Sequence, residues 1–205
     1  HSSDSHLKLL KVSLLIQLEQ LTQAENVLKE FSLKSENLNV TKLYARIYVE
    51  KGDLQSAENL YNDIYLLQPT TTNVVKLGNL LLAQNKSEAF IKLFNAHLGS
   101  YPQDIKGKAY YAQKLISLDI KKAKEQYIEL LDLKPNNIAV LNNLAWVSKR
   151  EGNASSALDY ATRAYKIAPG STSIVDTYCQ MLMDNGQAEE GLSHVAKYIF
   201  SKKCA

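Results

Sequence analysis

Apolar residues recur along this chain of 205 residues at the three- and four-residue spacing of amphipathic helices. One series of segments carries a bulky residue followed by a small one. A second series carries a small residue followed by a bulky or apolar one four positions later. The two series alternate, so the pattern predicts helices in pairs. The bulky–small pairs of the first series are Tyr44-Ala45, Leu77-Gly78, Tyr111-Ala112, Leu144-Ala145 and Tyr178-Cys179.

Four prolines divide the chain at regular intervals. Pro69, Pro102, Pro135 and Pro169 are 33, 33 and 34 residues apart. A helix does not run through a proline, because the ring removes an N–H donor and clashes with the preceding turn. Each proline is therefore expected at the end of a second helix or in the loop just after it. A fixed period in the thirties is typical of a helical solenoid.

The small residues of the second helices keep a fixed distance to these prolines. Ala57, Ala123 and Ala157 each lie twelve residues before a proline, so we expect them to be buried where two helices approach closely. Before Pro102 the corresponding small residue is Ala89, thirteen residues away. By this alignment the turns of the third and fourth repeats are one residue short.

Glycines mark the turn inside three of the helix pairs. Gly52, Gly152 and Gly186 each stand five residues before the small position of the second helix. This place suits the end of the first helix, where a left-handed residue is favourable. In the first repeat Glu19 takes the place of the glycine.

The combined pattern resembles the tetratricopeptide repeat, a helix–turn–helix unit of about 34 residues. The resemblance covers nearly the whole chain and implies an all-α, right-handed superhelical solenoid in a single domain over residues 1–205. The first repeat departs most from the pattern, as expected of an end repeat that caps an exposed core. The opening residues resemble a tag remnant, so we expect a fragment of a longer protein. The six repeats are predicted at residues 5–37, 38–70, 71–104, 105–137, 138–171 and 172–203.

Composition and motifs exclude several classes of function. The net charge of +3 is too small to predict nucleic-acid binding, and no apolar run is long enough to cross a bilayer. The four histidines form no metal-binding motif, and the chain has no glycine-rich phosphate loop and no nucleophile elbow. We therefore predict no enzyme activity, no cofactor, no metal site and no membrane insertion within this chain.

Candidate binding residues follow from the resemblance, which implies that the first helices line a concave groove. Amide side chains can bond to a peptide backbone, and cations favour a partner with carboxylates. The same charges are also compatible with a plain solvated helix face. Trp146 is either a binding hot spot or packs against the first helix of the fourth repeat. The predicted groove residues are Lys42, Arg46, Lys76, Asn79, Lys106, Tyr110, Asn142, Asn143, Trp146 and Arg150.

The predicted function is a non-enzymatic scaffold that binds a peptide or protein, with an acidic partner favoured. The alternative rests on a finer resemblance, carried by Leu141 to Trp146, Pro169, Val175 to Tyr178 and Gly186. These residues resemble the C-terminal repeats of bacterial envelope tetratricopeptide proteins of exopolysaccharide and PEP-CTERM protein-sorting systems. This resemblance implies a structural accessory module, and it favours the cell envelope over the cytoplasm. The sequence leaves the oligomeric state open.

Overall fold

The computed structural model describes residues 2–31 and 37–203, and this part of the chain contains twelve α-helices and no strand. The predicted fold class, an all-α solenoid of about six helix–turn–helix units, is confirmed. None of the described helices is both long and apolar enough to span a bilayer. The helices are α1 Ser2–Gln17, α2 Leu21–Leu28, α3 Leu38–Glu50, α4 Leu54–Leu67, α5 Thr71–Ala83, α6 Ser87–Ser100, α7 Ile105–Leu118, α8 Ile120–Leu133, α9 Ile138–Arg150, α10 Ala154–Ile167, α11 Thr172–Asp184 and α12 Ala188–Lys203.

The chain forms two compact units, an N-terminal unit of His1–Gly107 and a C-terminal unit of Lys108–Ala205. In the N-terminal unit, α1 packs on α2, α3 on α4 and α5 on α6, while α2 and α4 also contact the first helix that follows them. In the C-terminal unit, α9 packs on α10 and α11 on α12, while α8 and α10 contact the following first helix. Each unit is therefore held together by packing within the hairpins and by packing of a second helix on the next first helix, and α1 also contacts α3, as α9 contacts α11.

Left-handed residues end the first helices, as predicted. Gly52, Gly152 and Gly186 have φ between 76° and 78°, and Glu19 takes the same conformation with φ 58°. Side-chain caps then start several of the second helices. The Asp53 carboxylate, for example, accepts a hydrogen bond from the Ser56 N–H at 3.1 Å. The turn inside a hairpin is thus built from a left-handed residue followed by a cap.

The prolines and the small residues take the predicted places. Each of the four prolines lies in a loop, two residues after the last residue of a second helix. Ala57, Ala123 and Ala157 are fully buried, which confirms that they sit at close helix contacts. Cys179 is also buried, and burial raises the pKa of its thiol; Cys204 lies outside the described residues.

The third repeat corrects the alignment. Ala89 is exposed, and the buried residue twelve positions before Pro102 is Phe90. Space for this ring comes from the other helix of the hairpin, because a Cβ added to Gly78 would lie 3.1 Å from Phe90 and 2.7 Å from Phe94. The turn of this repeat is therefore not short. Its small residue is Gly78 on the first helix, whereas in the other repeats it lies on the second helix.

The fourth repeat is short, as predicted. Only Asp119 separates the end of α7 at Leu118 from the start of α8 at Ile120. Its carboxylate caps α8 by accepting a hydrogen bond from the Lys122 N–H at 3.1 Å. One residue therefore serves both as the turn and as the cap.

The two outermost described helices, α1 and α12, expose several large apolar residues. On α1, Leu7, Leu14 and the following Leu18 are 62%, 51% and 66% exposed. On α12, Leu192 and Ile199 are 67% and 49% exposed. Helices α1 and α12 therefore both carry apolar side chains that are exposed in the described structure.

Candidate binding site on the first helices

Three cations from successive repeats meet in the N-terminal unit. Lys42 and Arg46 lie one turn apart on α3, and Lys76 lies on the next first helix, α5. Together with α1 they line a pocket of about 350 Å³, which we call the cationic pocket. Its lining residues are His6, Leu9, Leu10, Ser13, Asn39, Lys42, Leu43, Arg46 and Lys76.

The positive charges of the cationic pocket are not neutralised. No carboxylate of the described residues lies within ion-pair distance of these three side chains. Lys42 Nζ donates to the neutral Gln68 Oε1 at 3.2 Å, and Lys76 Nζ lies 5.6 Å from the centre of the Tyr61 ring. Partial burial lowers the pKa of Lys76, and repulsion from Lys42 and Arg46 lowers it further. The pocket therefore has an unmet attraction for anions.

The cationic pocket also offers apolar surface. Leu9 and Leu43 are at least partly buried, whereas Leu10 is 50% exposed. Asn39, on the first turn of α3, adds an amide that can donate and accept hydrogen bonds. Cations beside leucines and an amide form a surface that suits a peptide with both acidic and apolar side chains.

Two further predicted residues of the N-terminal unit lie outside this lining. Asn79 is exposed on α5, three residues after Lys76. Lys106 is exposed in the first turn of α7. Of the predicted cations in this unit, the structure thus brings together Lys42, Arg46 and Lys76 but not Lys106. Sequence reasoning missed the contribution of α1, whose His6, Leu9, Leu10 and Ser13 complete the lining.

The predicted residues of the C-terminal unit mostly have partners within that unit. Asn143 Nδ2 donates to the Tyr127 hydroxyl at 3.0 Å, and burial raises the pKa of Tyr127 to about 12. Arg150 donates to the Ile116 carbonyl at 2.8 Å. Tyr110 is half-buried with Lys114 Nζ 5.5 Å from its ring centre.

Asn142 differs from its neighbours. Its Oδ1 atom is buried and accepts no hydrogen bond within the part of the chain that the structure describes. A buried acceptor without a hydrogen-bond partner is unfavourable, so the Asn142 amide is locally destabilising on α9.

Trp146 turns toward the following repeat. Its Nε1–H donates to the Thr177 hydroxyl on α11 at 3.2 Å, while Lys149 Nζ lies 5.1 Å from the ring centre. Lys149 in turn forms an ion pair with Asp184 at 2.7 Å. Trp146 is 37% exposed, so part of its side chain remains accessible to solvent. The sequence had indicated a hot spot or packing on the fourth repeat; its bonded partner lies on the sixth.

A buried histidine forms a polar network that the sequence did not indicate. His97 is 1% exposed; its Nδ1 lies 3.0 Å from the Tyr65 hydroxyl and its Nε2 2.9 Å from Asp104 Oδ2. Asp104 also accepts from the Thr71 hydroxyl at 2.8 Å and from the Gly107 N–H at 2.9 Å. Burial by itself would raise the pKa of Asp104, but these hydrogen bonds outweigh burial and lower it.

This network links α4, α6 and the loop before α7, because Tyr65, His97 and Asp104 lie on these three elements. The described residues also contain no group of three or more His, Cys, Asp or Glu side chains that could hold a metal ion.

The geometry defines the class: the chain has the fold of tetratricopeptide repeat proteins. It is similar to the crystal structure of MamA, with a TM-score of 0.64 and 14% identity over 81% of this chain and 92% of MamA. It is also similar to MamA 41-end from Desulfovibrio magneticus RS-1, with a TM-score of 0.66 and 10% identity over 83% of this chain and 97% of that chain. A third similar structure is YrrB, described as a TPR protein with an unusual peptide-binding site. Its TM-score is 0.58, with 14% identity over 82% of this chain and 89% of YrrB. No family model and no curated protein sequence matches the chain.

Proposed function

We propose that the chain is a non-enzymatic scaffold that binds an acidic segment of a protein or peptide in the cationic pocket. The observation that carries the proposal is the convergence of Lys42, Arg46 and Lys76 without a carboxylate partner. Cations held close together at the expense of mutual repulsion are favourable once an anionic ligand lies between them.

The two kinds of side chain in the pocket have different roles. The cations attract acidic residues over a distance and increase the association rate, an effect that salt weakens. Arg46 can form two parallel hydrogen bonds to one carboxylate, whereas the two lysines act as point charges. Leu9, Leu10 and Leu43 offer apolar contact area, which does not depend on salt. The ligand is therefore expected to alternate acidic and apolar residues.

The similarity to YrrB supports a peptide ligand only by analogy. YrrB is described as carrying a peptide-binding site, and at 14% identity the likeness extends to the fold. The proposal for this chain therefore rests on its own pocket.

Titration of the chain with a short fluorescent peptide of glutamate and leucine tests the proposal. We expect saturable binding that weakens with salt and is lost when glutamine replaces glutamate in the peptide. Arg46→Glu should weaken binding at least about tenfold. Lys92→Glu, which changes an exposed lysine of α6 by the same charge, is the matched control and should leave binding unchanged. Equal binding of the glutamate and glutamine peptides would contradict the proposal.

The alternative is a structural accessory module of a bacterial envelope polysaccharide or PEP-CTERM protein-sorting system. It rests on the sequence resemblance carried by Leu141 to Trp146, Pro169, Val175 to Tyr178 and Gly186. Within that stretch Trp146 bonds to Thr177, and Asn143 bonds to Tyr127, so packing already accounts for part of the motif. Fractionation of the source cells with an antibody against the chain tests the envelope location: recovery in the cytosolic fraction alone would contradict it.

A further inference from the structure

The charged side chains that line the cationic pocket are all of one sign. Lys42, Arg46 and Lys76 are cations, and no carboxylate belongs to the lining. The cations come from two helices, α3 and α5. Burial lowers the pKa of Lys76, and repulsion from Lys42 and Arg46 lowers it further, so the three charges lie near one another. A ligand that relieves this repulsion must bring more than one negative charge into a small volume.

A single carboxylate does not meet this requirement. It has one negative charge and two oxygens, so it leaves two of the three cations without an anionic partner. Two glutamate side chains would supply the charge, but their carboxylates would then lie together in a pocket of about 350 Å³ and repel each other. A phosphoryl group avoids this repulsion, because it holds about two negative charges and three acceptor oxygens on one phosphorus atom.

The hydrogen-bond donors of the pocket suit an anion with three oxygens. Arg46 has a planar guanidinium that can bond to two oxygens of one phosphate, and Lys76 can donate to the third. Lys42 donates to the Gln68 side chain at 3.2 Å and has two further N–H donors. Asn39, exposed on the first turn of α3, adds a neutral amide donor. Three cations and one amide can therefore donate to a group that only accepts hydrogen bonds.

We propose that the anion bound in the cationic pocket is a phosphoryl group on a side chain of the partner, so that the chain recognises a phosphorylated peptide segment. This inference rests on the proposed function, and it narrows the ligand from an acidic segment to a phosphorylated one. Phosphorylation of the partner then strengthens the complex.

The surroundings of the cations favour a peptide over free phosphate or a membrane surface. Leu9, Leu10 and Leu43 give the pocket apolar surface that a free phosphate ion would leave uncovered. Lys42 and Arg46 are partly buried, which suits a side chain that enters the pocket better than a flat layer of lipid headgroups. The expected ligand is therefore a phosphorylated side chain with apolar neighbours.

Three fluorescent peptides that differ at one central position test the proposal. This position holds phosphoserine, glutamate or serine, and leucines flank it in all three peptides. Anisotropy titration should give an affinity for the phosphoserine peptide at least about tenfold above that for the glutamate peptide, because one additional charge-assisted hydrogen bond corresponds to about that factor. The serine peptide should bind more weakly than the glutamate peptide.

Lys76→Gln tests whether the preference depends on the three cations. It removes one charge, so it should weaken binding of the phosphoserine peptide more than that of the glutamate peptide and lower the ratio of the two affinities at least about threefold. Lys92→Gln is the matched control, because it makes the same change at an exposed lysine of α6 outside the pocket. It should leave both affinities unchanged. Both lysines are exposed, so circular dichroism of both variants should match the parent chain.

The pH dependence gives an independent readout. The second ionisation of phosphoserine lies near pH 6, so the ratio of the two affinities should fall severalfold between about pH 7.5 and about pH 5.5, while glutamate stays ionised. The charged and titratable groups that line the pocket are His6 on α1, Lys42 and Arg46 on α3, and Lys76 on α5. The Tyr61 ring of α4 lies beside Lys76. Protonation of His6 would increase both affinities, and that for the dianion most, so a falling ratio reports the phosphate itself.

The outcomes separate this inference from the proposed function. A phosphoserine peptide that binds most tightly, with a ratio that falls in Lys76→Gln and at low pH, supports the inference. Equal affinities for the phosphoserine and glutamate peptides overturn it and leave the proposed function standing, whereas equal affinities for all three peptides contradict both. Inorganic phosphate that displaces the phosphoserine peptide at concentrations near that peptide's own dissociation constant overturns the choice of a peptide. Displacement by phosphatidylserine vesicles overturns it in favour of a membrane surface.

Discussion

The first helices of both units carry lysine and arginine side chains, but these cations differ in whether they have an acidic partner. In the N-terminal unit Lys42, Arg46 and Lys76 stand together without an acidic partner. In the C-terminal unit Lys149 pairs with Asp184 and lies over the Trp146 ring. The cations of this helix face thus lack an acidic partner in the N-terminal unit, whereas Lys149 has one in the C-terminal unit.

This difference bears on stability and binding in separate ways. Paired charges and a bonded indole stabilise the unit that contains them, and their removal lowers the free energy of unfolding. Removal of an unpaired cation relieves repulsion and breaks no ion pair, so it should lower the free energy of unfolding little, while it weakens the attraction for an anion. Mutations in the two regions should therefore affect different measurements.

Trp146→Ala should give the largest change in stability. It removes an indole that is 37% exposed and bonded to Thr177, and we expect a loss of about 1–3 kcal/mol. Chemical denaturation measures this value. Trp146→Phe keeps most of the apolar area and should lose less. Unchanged stability in Trp146→Ala would mean that the C-terminal face is as open as the cationic pocket.

Lys149→Gln and Lys76→Gln form the next comparison. The first substitution breaks an ion pair at 2.7 Å and should lower the free energy of unfolding by about 1 kcal/mol. The second removes both the repulsion among three cations and the contact with Tyr61, and these oppose each other, so the change should stay within about 0.5 kcal/mol. A larger loss in Lys76→Gln than in Lys149→Gln would reverse the proposed distinction.

Asp184→Asn should give the smallest and most specific effect, a change in the pH dependence of stability. The hydrogen bond from Lys149 is the main cause that lowers the pKa of Asp184 in the folded state. Its stabilising effect is therefore present above the unfolded-state pKa of about 4 and is lost as pH falls through the lowered folded value. Denaturation curves at neutral and acidic pH should separate the parent from Asp184→Asn only at the higher pH. A constant difference down to the acid limit would rule out the ionised pair as its cause.

The sequence predicted the fold well because the fold depends on local rules. The spacing of the prolines, and the fixed distance from them to Ala57, Ala123 and Ala157, are sufficient to locate the hairpins. The prediction of Ala89 was wrong because the close contact depends on the sum of two side chains, and Gly78 on the other helix makes room for Phe90. A rule that considers one helix at a time cannot detect that exchange.

The candidate site was only partly predictable for a similar reason. The apolar stripe of each first helix predicted that Lys42, Arg46 and Lys76 lie on the opposite side of successive first helices. The leucines of α1 were missed because the first repeat lacks a closing proline and is the least regular. The bond from Trp146 to Thr177 joins residues 31 positions apart, and the choice between the two neighbouring repeats depends on side-chain geometry that the pattern does not contain.

The central claim is that binding belongs to the cationic pocket and not to the equivalent face of the C-terminal unit. The most direct test compares two matched double reversals by titration calorimetry with the glutamate–leucine peptide. One variant combines Arg46→Glu with Lys76→Glu, and the other combines Lys149→Glu with Arg150→Glu. We expect the first to weaken binding by more than about tenfold and the second to leave it within about twofold. Equal losses in both variants, or a loss in the second alone, would contradict the claim.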